Sequence, residues 1–135
     1  MRSEVIETKD KVVTGNIFQM IFGKNMDNTF IRSAQLSLNA SGENYYYDYL
    51  AVIPGAAFRL HFHPDWCPGS TNAIAGVYVS RVLFKYLGYG CDLNSIDTDN
   101  LSQIKELYQK IATQINPGIP IVAINLKVSP DWCII

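Results

Sequence analysis

The residue pattern is that of an α+β domain. Segments with apolar residues at spacings of three and four fill most of the first two thirds, short β-branched runs gather near the end, and the two kinds do not alternate as strict βαβ units would. At 135 residues, 48% hydrophobic and 12% aromatic, the chain has the length of one domain and enough apolar matter for a true core. A single domain over 1–135 is the expectation.

Taken in order, residues 5–22 open with Val and Ile alternating with polar residues, which predicts a strand or extended arm. They then pass through Thr14-Gly15-Asn16 into the apolar run Ile17 to Phe22, which fits helix or strand. Asp27 or Asn28 can cap a helix with Phe30, Ile31, Ala34 and Leu38 on its inner face, ended by Gly42. Tyr45, Tyr49, Leu50 and Ile53 share one side of a second, short helix that Pro54-Gly55 interrupts. Ala57 to His63 reads as extended. A third helix from about Asn72 to Leu87 brings Ala75, Val79, Val82, Leu83 and Tyr86 together and stops at Gly88 and Gly90. Cys91 to Ile96 fits a short strand. The next helix, Asn100 to Ile115, carries Leu101, Ile104, Leu107, Tyr108, Ile111 and Ile115 on one face, with Asp99 as its cap and Asn116-Pro117-Gly118 as its stop. Ile119 to Lys127 is a nearly continuous apolar strand, and Pro130 to Ile135 a turn and half of another. Ending on Trp-Cys-Ile-Ile implies that this strand is buried or that the natural chain continues past it.

Charge and composition exclude several functions. Eleven basic against twelve acidic residues, scattered along the chain, give a net charge of −1 and no basic face for nucleic acid. The charged opening Met1-Arg2-Ser3-Glu4 lacks the apolar core of a secretory signal, and no apolar run approaches the roughly 20 residues of a membrane span. Three separated cysteines suit a reducing compartment, so a cytoplasmic location is expected.

The chemistry-bearing residues concentrate in Ala56-Ala57-Phe58-Arg59-Leu60-His61-Phe62-His63-Pro64-Asp65-Trp66-Cys67. The tetrapeptide Pro-Asp-Trp-Cys recurs at 130–133. On a strand His61 and His63 point the same way, and with Asp65 and Cys67 they are ligand types that zinc accepts. Without a CxxC or HExxH pattern, however, the stretch reads as the wall of a pocket, with no metal and no cofactor expected. Cys67 lies just ahead of the third helix with His61 and His63 close in sequence, an arrangement that can lower a thiol pKa and that makes Cys67 an alternative nucleophile. Cys91 and Cys133 read as core. Tyr45-Tyr46-Tyr47 point three ways on a helix, so at most two share a surface, which suits core and rim packing.

Three segments, in this order, carry a family resemblance. The run Asn28-Thr29-Phe30-Ile31-Arg32-Ser33-Ala34-Gln35-Leu36-Ser37-Leu38, closed at Gly42, resembles the first helix of papain-like cysteine peptidases of the bacteriocin-leader-processing (C39-like) group. Tyr47-Asp48-Tyr49-Leu50 with Gly55-Ala56-Ala57-Phe58-Arg59 is similar to the N-terminal domain of the butirosin-biosynthesis acyltransferase, a bacterial protein. Gly118-Ile119-Pro120-Ile121-Val122-Ala123 is similar to an element of both. The resemblance runs from about residue 15 to the end and implies a helical half packed on a small, mainly antiparallel sheet. It also implies a nucleophilic cysteine at the start of the first helix, where this chain has Thr29, and a histidine near Asp131 to Cys133, where it has none.

A hydroxyl without a positioned base is a poor nucleophile, so the catalytic pair is degenerate and the cleft is what the resemblance leaves. The expected function is binding of a small molecule or peptide by Arg59, His61, His63, Asp65, Trp66, Asp131 and Trp132. Two alternatives stand beside it. One is a hydrolase or acyltransferase using Cys67 with His61 or His63, or with residues past Ile135. The other is a structural module that forms a homodimer by completing its sheet through the apolar terminal strand.

Overall fold

The computed structural model describes residues 4–8, 11–15, 24, 26, 28–59, 79–97, 99–124 and 132–135. They form an α+β arrangement. Strands β1 (Glu4–Thr8) and β2 (Lys11–Gly15) are followed by helices α1 (Thr29–Ala40) and α2 (Tyr47–Val52), then by a 3₁₀ turn (Ala56–Phe58). Helices α3 (Val79–Tyr86) and α4 (Leu101–Ile115) precede strands β3 (Val122–Ile124) and β4 (Trp132–Ile134). Each pair of strands makes its own antiparallel two-stranded sheet. Glu4 stands opposite Gly15 and Thr8 opposite Lys11 in the first, Val122 opposite Ile134 and Ile124 opposite Trp132 in the second. Ile121 and Ile135 exchange both backbone bonds at 3.2 and 2.9 Å, extending the second ladder by one pair.

Helix α1 forms where the cap and the periodicity place it. The Asn28 side chain accepts from the Ile31 N–H at 3.1 Å, satisfying one of the donors a helix start leaves open. Phe30, Ile31, Ala34 and Leu38 then enter the main core with Leu50 and Ala51 of α2, Ala56, and Val79 and Leu83 of α3. Burial goes further than this stripe. Thr29, Ser33, Gln35, Leu36 and Ser37 are also buried, because α1 packs against α2 and against β3–β4 and shares its core with Val79 and Leu83 of α3. A polar residue so enclosed costs free energy unless it is bonded. Ser37 Oγ donates to the Pro120 carbonyl at 2.8 Å, and Gln35 Nε2 donates to the Tyr45 carbonyl at 2.9 Å.

Several elements differ from expectation. The opening strand is half of a hairpin, with Thr14 and Gly15 inside β2 rather than leaving it. Ala56–Phe58 winds into a 3₁₀ turn where an extended segment was expected, since Gly55 at φ 75° turns the chain and Phe58 N–H bonds back to the Gly55 carbonyl at 3.1 Å. Cys91–Ile96 pairs with no strand among the described residues. Asn100, rather than Asp99, caps α4, accepting from the N–H groups of Ser102 and Gln103 at 3.2 Å each. On α3 only Val79, Ser80 and Leu83 are buried, with Val82 and Tyr86 outside; on α4 Ile115 is buried while Leu101 and Tyr108 are exposed. Amphipathic spacing marks which residues share a stripe, but how much of the stripe is covered depends on neighbours remote in sequence. Ala75 and the first part of the expected third helix lie outside the described residues. Among the described residues no helix is long and apolar enough to cross a membrane.

Candidate functional site

The start of α1 is where the resemblance locates a nucleophile, and the structure gives Thr29 a different occupation. Thr29 is 5% exposed, and its Oγ1 accepts a hydrogen bond from the Trp132 N–H at 3.2 Å, across 103 positions of sequence. The ladder explains why that donor is available. Ile121–Ile135 is a bonded pair, so Trp132, opposite Ile124 in a non-bonded position, turns its N–H away from β3 toward the helix. Next to this bond the Trp132 ring meets Phe30 edge-on, with centroids 5.2 Å apart and planes at 74°. Thr29 and the 132–134 strand are therefore in direct contact, and the hydroxyl is enclosed by the packing that joins helix to sheet.

Beside the helix start lies an open depression of about 340 Å³, walled by Asn28, Tyr47, Asp48, Ala51, Val52, Ala56 and Ala57. Its shape comes from two local causes. The Asn28 N–H donates to Tyr47 Oη at 3.0 Å, tying the first residue of α2 to the cap of α1. The Gly55 turn then brings the alanines of the 3₁₀ segment alongside Ala51 of α2, and these small side chains leave the space unfilled. The surface is mainly apolar, with Asn28, Tyr47 and Asp48 as its polar residues, a composition usual for ligand pockets. Arg59 is exposed just beyond the turn, its Nε close to Gly55, where an added Cβ would stand 3.8 Å from it.

Of the expected site residues, Thr29 lies at the helix start, Arg59 near the depression, and Trp132 half-buried against Phe30. His61, His63, Asp65, Trp66, Cys67 and Asp131 lie outside the described residues. Cys133, half-buried, points its thiol at the Ala123 carbonyl at 3.6 Å, and Cys91 is half-buried in an irregular segment. Among the described residues no group of three or more His, Cys, Asp or Glu side chains is placed to hold a metal ion. Asn28, Tyr47, Asp48, Ala51, Val52, Ala56 and Ala57 were not singled out as ligand contacts from sequence. The one usable signal was Gly55-Ala56-Ala57, a turn followed by side chains too small to fill space. Comparison with family models, with curated proteins and with solved structures finds no match to this chain.

Proposed function

We propose that this chain is a non-catalytic domain of papain-like organisation that binds a small molecule or peptide beside the start of α1. The observation that carries the reading is the bond from the Trp132 N–H to Thr29 Oγ1. A buried hydroxyl engaged by a backbone donor is unavailable for attack on an acyl carbon, and such attack would also need a base to take its proton. What adjoins it is open: the apolar floor of Ala51, Val52, Ala56 and Ala57 takes an aliphatic or aromatic group, and Asp48 takes a donor or cation at the rim. Arg59, exposed close by, can pair with a carboxylate. A short peptide or amino-acid derivative with both charges and an apolar side chain matches this set.

The test is amide NMR of the intact chain titrated with a panel of hydrophobic dipeptides, together with Ala57→Trp, which fills the depression from an exposed position. Saturable shifts centred on Asn28, Tyr47, Asp48 and Ala56, lost in Ala57→Trp, support the reading. Incubation with an activated thioester followed by intact-mass measurement should leave the mass unchanged. A stoichiometric acyl adduct on Thr29 or on any cysteine would sink the non-catalytic assignment, and ligand shifts confined to other surfaces would sink the site.

A further inference from the structure

Three segments remote in sequence converge on the first turn of α1. The side-chain oxygen of its cap, Asn28, accepts from the Ile31 N–H at 3.1 Å, and the Asn28 carbonyl accepts from the Arg32 N–H at 3.0 Å. That leaves the N–H of the cap residue itself. In a capping box the residue three positions on, a Glu or Gln, reaches back to accept from it. Here that residue is Ile31, apolar and fully buried. The acceptor comes instead from α2: Tyr47 Oη takes the Asn28 N–H at 3.0 Å, across 19 positions of sequence.

One residue further along, Thr29 Oγ1 accepts from the Trp132 N–H. A single helix start is thus held by a phenol from α2 and in turn holds the terminal strand. The two rings also share a support, since Tyr47 and Trp132 both pack against the cluster that contains Phe30. Another tie between α1 and the segment leading into the sheet, from Ser37 Oγ to the Pro120 carbonyl, lies in the body of the helix, where the backbone ladder runs on in both directions. Thr29 is the first helical residue, and a helix end opens at little cost unless its free N–H groups are satisfied. The placing of Thr29 Oγ1 against Trp132 therefore depends on the cap, and the cap depends on Tyr47.

The depression has walls on both sides of the Asn28–Tyr47 bond. Asn28 belongs to the start of α1, and Tyr47, Asp48, Ala51 and Val52 belong to α2. A molecule touching both walls meets its full set of contacts only while that bond is made. It binds the closed arrangement more tightly than the open one, which is the differential affinity that a ligand-driven shift requires.

We infer that Tyr47 is a positioning residue that couples the depression to the terminal strand: occupation of the depression holds α2 on the cap of α1, fixes Thr29, and tightens β4 on the helix. The coupling of Tyr47 with Trp132 stands on the two hydrogen bonds, whereas its control by a bound molecule rests on the depression being a binding site. By linkage, loosening β4 weakens binding by the same factor by which binding tightens β4.

Amide hydrogen exchange of the intact chain, followed by NMR, tests both parts. Without ligand, Tyr47→Phe keeps the ring and loses the acceptor. It should speed exchange at Trp132 as well as at Asn28 by about two- to tenfold and leave amides in the middle of α4 unchanged. Thr29→Val should speed exchange at Asn28, on the other side of the joint. With saturating leucyl-phenylalanine as the probe, Trp132 should exchange about two- to tenfold more slowly. Thr29→Val should bind the dipeptide more weakly by about that factor, and Thr29→Ser should keep the parent affinity, although residue 29 does not line the depression. Unchanged Trp132 exchange in Tyr47→Phe overturns the proposal. So does parent-like dipeptide affinity in Thr29→Val, or a slowing shared equally by α4, the signature of global stabilisation. If the dipeptide shifts no resonance in the depression, the binding-site reading fails and Tyr47→Phe alone decides the coupling. Should Tyr47→Phe show no folded melt, exchange at Asn28 in Thr29→Val decides in its place, and parent-like protection there overturns the coupling.

Discussion

Replacing Thr29 by valine isolates the contact that joins helix to sheet. Valine has nearly the shape of threonine, so no cavity forms, but the Trp132 N–H loses its acceptor in a partly buried place. Leaving such a donor unsatisfied costs about 1–3 kcal/mol. The bond is 3.2 Å long, at the outer end of the usual N–H···O range, so the lower half of that interval, about 1–2 kcal/mol, is expected. With an unfolding entropy of roughly 2.1 cal/mol/K per residue over this length, the melting temperature should fall by about 4–7 °C. Urea denaturation should show a lower midpoint with unchanged slope, as a loss of stability without a change in exposed surface requires. Hydrogen exchange gives the local readout: the Trp132 amide should lose protection in Thr29→Val and keep it in Thr29→Ser, which retains the oxygen. If Thr29→Val melts within about 1 °C of the parent and Trp132 exchanges as before, the hydroxyl is not holding the strand. The claim that Thr29 is structurally committed then fails.

Three further outcomes are expected. Asn100→Ala should destabilise by about 1 kcal/mol through loss of the α4 cap, whereas Asp99→Ala should have almost no effect; comparable losses in a denaturation experiment would show the cap to be misassigned. Leu83, fully buried in the core that α3 shares with α1 and α2, should cost about 2–5 kcal/mol on truncation to alanine, while Val82→Ala, half in solvent one residue earlier, should stay below about 0.5 kcal/mol. Absorbance titration should reveal a tyrosine ionising near pH 12 that moves down in Glu43→Gln, because the Tyr89–Glu43 bond favours the neutral phenol. Since the folded value lies above the ordinary one of about 10, the contribution of that bond is complete below pH 10 and is lost as the pH rises from 10 to 12. A pH-stability profile without that loss, or one unchanged in Glu43→Gln, would contradict the assignment.

Elements whose causes are local could be read from the residues alone. The α1 and α4 boundaries follow from an asparagine cap, a three-and-four spacing and a stop residue, all within one span of chain, and the structure differs mainly in which of two adjacent residues caps α4. The inner face of α1 was legible for the same reason. Features that depend on pairs remote in sequence emerge only when the chain is packed. That Thr29, Ser37 and Gln35 are buried and bonded follows from Trp132, Pro120 and Tyr45 arriving from elsewhere, partners that no periodicity reveals. The same holds for the meeting of Glu43 with Tyr89, residues just past the ends of α1 and α3 that lie 46 positions apart in sequence. Local propensity is fixed by neighbours within about one turn, whereas burial, and with it the role of each polar side chain, is fixed by the whole chain's packing.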